Sequence, residues 1–110
     1  MTQTKRSPES KRTNPPRDVE KSKDFMKDWE RLSRSGKQDM NRLKEAMMLL
    51  IANDAPLPPE WKDHNLKGTE DDLRECHVKG DLLLVYQVDP GPVEGITFLR
   101  AGTHSEIFGR

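Results

Sequence analysis

Cysteine is almost absent from this chain. Cys76 is the single thiol in 110 residues, so an internal disulfide is impossible and a reducing, cytoplasmic setting fits. No apolar run approaches the roughly 20 residues that a membrane span needs. No apolar stretch follows the basic residues at the N-terminus, so a secretory signal is not expected. Net charge is also missing, with 19 Lys and Arg against 19 Asp and Glu. A protein that bound RNA by charge alone would be strongly basic, so affinity for free RNA should be low. There is no glycine-rich phosphate loop and no His-x-x-x-His pair, which argues against a bound nucleotide cofactor and a zinc site. Neither metal nor cofactor is expected.

The charge that is present is unevenly placed. Residues 1–45 hold 13 Lys and Arg against 8 Asp and Glu, and residues 46–110 hold 6 against 11. A basic front half suits RNA phosphates or an acidic partner. Lys27, Lys37 and Lys44, on the first two helices, are candidates for such a contact.

Residues 1–16 contain no aliphatic residue after Met1 and end in Pro-Pro, the composition of a disordered tail or an appended remnant. Residues 17–110 form one domain. Arg17–Lys21 is a short candidate strand. Phe25, Trp29 and Leu32 share a helical face behind Ser22 as N-cap, and Ser35-Gly36 stops that helix. Asp39 caps a second helix, whose Met40, Leu43, Met47, Leu50 and Ile51 form an apolar stripe ending at Asn53-Asp54-Ala-Pro56. Prolines make residues 57–64 a loop anchored by Trp61, and Gly68 lies in the next turn. Leu73–Val78, Leu82–Val88 and Gly95–Arg100 read as strands joined by short connections, which implies an antiparallel meander. The middle one is continuously apolar and so covered on both faces. The order β-α-α-β-β-β gives a small α+β domain, a helical hairpin packed on an antiparallel sheet.

Strand parity sorts the chemistry. Glu75 and His77 point to one face of their strand, and Arg74, Cys76 and Val78 to the other. A zinc site using both Cys76 and His77 is therefore not expected, and Cys76 reads as a small buried hydrophobe. The three histidines, His64, His77 and His104, all sit at strand or loop ends, as do Asp81 and Arg100. Imidazole changes charge near neutrality. Such a set suffices for RNA cleavage: a base takes the 2′-OH proton, an acid protonates the leaving 5′-oxygen, and a cation stabilises the phosphorane.

These residues carry a resemblance. Leu57-Pro58, Lys62-Asp63-His64-Asn-Leu66-Lys-Gly68, Arg74-Glu-Cys-His77-Val78-x-x-Asp81, Leu-Val-Tyr86 and Leu99-Arg100-Ala-Gly-Thr-His104-Ser-Glu-Ile-Phe108-Gly109 occur in that order. From about Arg17 to Gly109 the chain resembles bacterial type II toxins of the RelE superfamily, in particular the YafQ branch. The resemblance implies a RelE-like fold and a ribosome-dependent endoribonuclease that cuts mRNA in the A site. It also implies a cognate antitoxin, with operator DNA bound only through the antitoxin complex. Carried over by position, His64, His77, Asp81, Arg100, His104 and Phe108 are tied to activity. His104 is expected as general acid, Asp81 or His64 as base, and His77 as a residue that orients RNA or shares the base role. Arg100 is expected to stabilise phosphate charge and Phe108 to support a base or pack the C-terminal turn. Where relatives can carry tryptophan after the aspartate, this chain has Leu82, which cannot stack on a base. The alternative function is a binding module without activity, serving as antitoxin partner and co-repressor.

Overall fold

A computed structural model describes residues 14–66 and 72–109. The expectations for residues 1–13 of the tail and for a turn at Gly68 lie outside the described residues. In chain order the elements are β1 (Asp18–Lys21), α1 (Lys23–Ser35), α2 (Met40–Ala52), a 3-10 turn (Pro59–Trp61), β2 (His64–Asn65), β3 (Leu73–Lys79), β4 (Leu82–Asp89), β5 (Gly95–Thr103) and α3 (His104–Phe108).

The helix boundaries follow local chemistry. The Ser22 hydroxyl accepts the Phe25 N–H at 2.9 Å, and Gly36 closes α1 in the left-handed region at φ 68°. The Asp39 carboxylate accepts the Arg42 N–H at 3.0 Å, and Asn53 ends α2 at φ 57°. A side-chain acceptor at each N-cap satisfies one of the orphan N–H groups of the first turn. The buried faces are Phe25, Asp28 and Leu32 on α1 and Leu43, Ala46, Met47 and Leu50 on α2. Both pack on Cys76, Val78, Leu82, Leu84, Tyr86, Ile96, Phe98 and Ala101 of the sheet.

The sheet order is β1-β5-β4-β3-β2. The antiparallel meander of β3, β4 and β5 is as expected, but the sheet as a whole is mixed, because β1 runs parallel to β5. The helical hairpin between β1 and the meander returns the chain far enough to allow a parallel edge pairing. Two further differences matter for function. His64–Asn65 is a strand rather than loop, paired with β3; the prolines lie upstream of it, with Pro59 opening the 3-10 turn. The last strand does not turn after Arg100: it runs on to Thr103, with Ala101 opposite Leu84 and Gly102 opposite Leu83. Thr103 then caps α3, an element absent from the β-α-α-β-β-β order read from the sequence.

Trp61 anchors its loop as expected. It is 1% exposed, with the Arg42 guanidinium 3.7 Å from its ring centroid, a cation–π contact. Asp63 is tied down from the core side of the sheet, accepting from Tyr86 Oη at 2.5 Å and from Arg74 Nη2 at 3.0 Å. The residue before His64 is therefore fixed.

Candidate active site

The register of three strand pairs builds one row across the sheet. His64 lies opposite Glu75, Glu75 opposite Val85, and Val85 opposite Arg100. Directly paired residues project to the same face, and His77, two residues beyond Glu75, joins that face. Alternation puts Cys76, Leu84 and Tyr86 on the helix-covered face, and Leu83 and Val85 on the histidine face. Both leucine and valine are buried, so β4 is covered on both sides, as its continuous apolarity implies.

His64 and His77 converge on one carboxylate. Nε2 of His64 lies 3.3 Å, and Nε2 of His77 3.8 Å, from Oε2 of Glu75. The two rings are 6.0 Å apart between centroids. Nδ1 of His64 is 2.6 Å from the Lys62 carbonyl. A carbonyl only accepts, so this contact assigns the Nδ1 proton and leaves Nε2 to exchange a proton on the Glu75 side. Glu75 itself is 7% exposed. Two imidazoles and a carboxylate with ligand atoms within 4.8 Å of one another also form a set able to hold a cation such as zinc. The spacing in sequence argued against such a set, because its members come from two paired strands rather than from one helix. Cys76 takes no part: it is buried in the core, and burial, with the Asp63 and Glu75 carboxylates nearby, pushes its thiol up to about 12.

Arg100 stands at the other end of the row and is held by an aspartate on α1. Its Nε donates to Asp28 Oδ2 at 2.7 Å and its Nη2 to Asp28 Oδ1 at 3.2 Å. Asp28 is 2% exposed. Burial alone would raise its carboxyl, but Arg100, the Ala101 N–H and Arg31 together hold it below the usual carboxylate range.

His104 opens α3. Thr103 and Glu106 form a capping box: Thr103 Oγ1 accepts the Glu106 N–H at 3.2 Å, and Glu106 Oε1 accepts the Thr103 N–H at 2.8 Å. The Phe108 ring packs on the His104 ring with centroids 4.8 Å apart, both exposed at the helix surface. Asp81 is exposed in the β3–β4 turn, beside Leu82, which pairs with Thr103. Asp81 and His104 thus flank one paired position at the same end of the sheet. Leu82 itself is 0% exposed, so its side chain belongs to the core and not to an RNA-facing surface.

Sequence reasoning gave no role to Asp28, Arg31, Glu75 or Glu106. Two of them left a signal. Asp28 falls three residues after Phe25 and four before Leu32, a charge inside an apolar stripe. Thr103-x-x-Glu106 has the spacing of a capping box.

A helical hairpin on a mixed sheet, with imidazoles and an arginine carried by its strands, is the architecture of a small toxin of the bacterial type II class. A sequence model described as "Bacterial toxin of type II toxin-antitoxin system, YafQ" matches residues 17–109, and the chain belongs to this YafQ family. It is similar to the mRNA interferase toxin YafQ of Escherichia coli (strain K12), at 41% identity over 93 residues, which is 84% of this chain and 97% of that protein. The putative toxin YafQ of Haemophilus influenzae is 32% identical, over 83% of this chain and 91% of that protein. In structure it resembles the toxin in the crystal structure of the E. coli DinJ–YafQ complex, with TM-score 0.74 at 41% identity, covering 84% of this chain and 99% of that one. It also resembles a metal-bound toxin from Helicobacter pylori, with TM-score 0.73 at 44% identity, covering 83% and 98%.

Proposed function

We propose that this chain is an mRNA interferase: a cytoplasmic endoribonuclease toxin that cuts mRNA in the ribosomal A site and is neutralised by a cognate antitoxin. The observation that carries this reading is the row His64–Glu75 to Arg100, with His77 beside it. It combines a proton acceptor and a fixed cation on one rigid sheet face. The names of the E. coli relatives, an mRNA interferase and a toxin bound to DinJ, support the substrate class and the partner.

The reaction needs no outside nucleophile. His64 Nε2 takes the 2′-OH proton and shares it with Glu75, while the Lys62 carbonyl holds the ring's orientation. The 2′-oxygen bonds to phosphorus, Arg100 stabilises the charge on the phosphorane, and the P–O5′ bond breaks as His104 delivers a proton to the leaving oxygen. The products are a 2′,3′-cyclic phosphate and a 5′-hydroxyl. His77, sharing the Glu75 carboxylate, orients the RNA. Asp81, on an exposed turn, serves the same end of the site, and Phe108 supports the His104 ring. Operator DNA is contacted only through the antitoxin complex.

The test is a translation extract supplied with wild-type or His104→Ala protein, followed by mapping of mRNA ends. Wild type should leave 5′-hydroxyl ends at codon-phased positions, and His104→Ala should cut at least about 100-fold more slowly. Equal cleavage by both, or none by either, overturns the catalytic reading. With zero net charge, the protein should cut naked RNA weakly at physiological salt. In growing cells the wild type should arrest growth unless the antitoxin is co-expressed, whereas an inert binding module would not.

A further inference from the structure

We propose that Asp28 is a positioning residue for this cleavage, setting the Arg100 guanidinium directly and the His104-bearing turn of α3 through Arg31 and Glu106. The inference deepens the proposed function and rests on it.

It starts from an unfinished sheet edge. β1 has only four residues and pairs with β5 from Gly95 to Phe98. Beyond Phe98 no strand among the described residues lies beside that edge of β5, and buried backbone groups there still need partners. Ser22 meets the first of them, its N–H donating to the Phe98 carbonyl and its hydroxyl to the Leu99 carbonyl. Side chains of α1 take over next. Asp28 Oδ2 accepts the Ala101 N–H at 2.9 Å, and Arg31 Nη2 donates to the Ala101 carbonyl at 3.3 Å. Asp28 and Arg31 therefore stand where the next strand residue would be.

The same two side chains extend to both ends of the site. Asp28 accepts four donors: Arg100 Nε, Arg100 Nη2, the Ala101 N–H and Arg31 Nη1, the last at 2.7 Å. A guanidinium gripped through Nε and one Nη cannot rotate about its own plane, so the orientation of Arg100 is set before RNA arrives. Arg31 Nη2 reaches on to Glu106 Oε1 at 3.2 Å, the same oxygen that accepts the Thr103 N–H in the cap of α3. One chain of contacts thus joins α1, Arg100 and the helix that begins with His104.

Gly102 is shaped by this bridge. A Cβ there would lie 2.8 Å from Glu106 Oε1 and 2.9 Å from Arg31 Nη2. The Arg31–Glu106 pair passes directly over the glycine, which accounts for a glycine in mid-strand where no turn occurs. Stability alone is a poor explanation for the network. Buried ion pairs are often matched or bettered by apolar packing, and this one stands between two residues of the site. Fixing reacting groups in advance is where such a network contributes most.

The test is single-turnover cleavage on programmed ribosomes by wild type, Asp28→Asn, Arg100→Ala and the double variant, with thermal melting to establish that each is folded. Asp28→Asn should lose at least about tenfold in kcat while KM for the ribosome stays within about twofold. The double variant should fall well short of the product of the two single losses, because one residue acts through the other. A folded Asp28→Asn with unchanged kcat, or losses that multiply, overturns the inference. Should Asp28→Asn not fold, Arg31→Gln takes its place. Its kcat should fall about tenfold and not compound with His104→Ala, and full activity overturns the inference. Wild-type protein that does not cut overturns the functional reading and this inference with it. A wild type that cuts beside an unaffected, folded Asp28→Asn overturns the inference alone.

Discussion

His64 and His77 share the carboxylate of Glu75, although they stand thirteen positions apart in the chain. Pairing of β2 with β3 brings His64 over Glu75, and strand alternation brings His77 to the same side. Glu75 is thus the common partner of both imidazoles, and removing its charge should disturb both. Glu75→Gln keeps the shape and one acceptor but gives no anion to share a proton taken up by His64. We expect cleavage on ribosomes to fall by about tenfold to 100-fold with thermal stability little changed. Wild-type rates in the Gln variant would remove Glu75 from the mechanism.

The same three side chains should capture a cation. Their ligand atoms lie within 4.8 Å of one another, and two imidazoles with a carboxylate is a set that zinc accepts with a position left open. A lone pair engaged by zinc cannot accept the 2′-OH proton. Added zinc should therefore bind with one-to-one stoichiometry in titration calorimetry and slow RNA cleavage in parallel, and chelation should reverse both. His77→Gln should weaken the binding about 10-fold or more. Undiminished heat of binding in that variant would place the cation elsewhere.

Much of this architecture is legible in the sequence because its signals are local. Ser22, Gly36, Asp39 and Asn53 mark helix ends through their own side chains or backbone freedom, and the Leu82–Val88 run marks a strand covered on both faces. What is not legible depends on partners distant in sequence. His64–Asn65 has too few residues to show a period, and it is a strand only because β3 lies beside it. Ala101-Gly102-Thr103 has turn-like composition, yet it stays extended because β4 pairs with it on one edge and Asp28 and Arg31 occupy the other. The parallel pairing of β1 likewise depends on where the hairpin returns the chain. Among site residues, the identities of His64, His77 and Arg100 are readable, but their grouping around Glu75 and Asp28 is a product of register.

Asp28 also gives the fold a specific acid sensitivity. Its folded carboxyl titrates below the ordinary value of 3.8 because its donors outweigh the burial that would raise it. The sign follows from linkage: a group depressed in the folded state contributes stability above its unfolded value and loses it as pH falls through the folded one. Chemical denaturation of wild type and Asp28→Asn should therefore differ most above about pH 5, and the gap should narrow as pH drops below about 4. A gap that stayed constant from pH 7 to pH 3 would show that the Asp28 charge adds nothing to the fold.

Leu82 marks a departure that the fold recasts. An aromatic after the aspartate suggests a base-stacking platform when the sequence is read alone, but here the side chain at 82 is fully buried beside Leu84 and Ala101. Inserting an indole means finding room for several extra heavy atoms in a close-packed layer. Leu82→Trp should thus cost about 1–3 kcal/mol of folding free energy through overpacking, measured as a lowered denaturation midpoint at constant m-value. Its cleavage rate on ribosomes, measured below the melting transition, should remain within a few-fold of wild type, because the new ring is drawn into the core rather than presented to RNA. A stable Leu82→Trp protein with a changed codon preference would instead put position 82 on the RNA-facing surface.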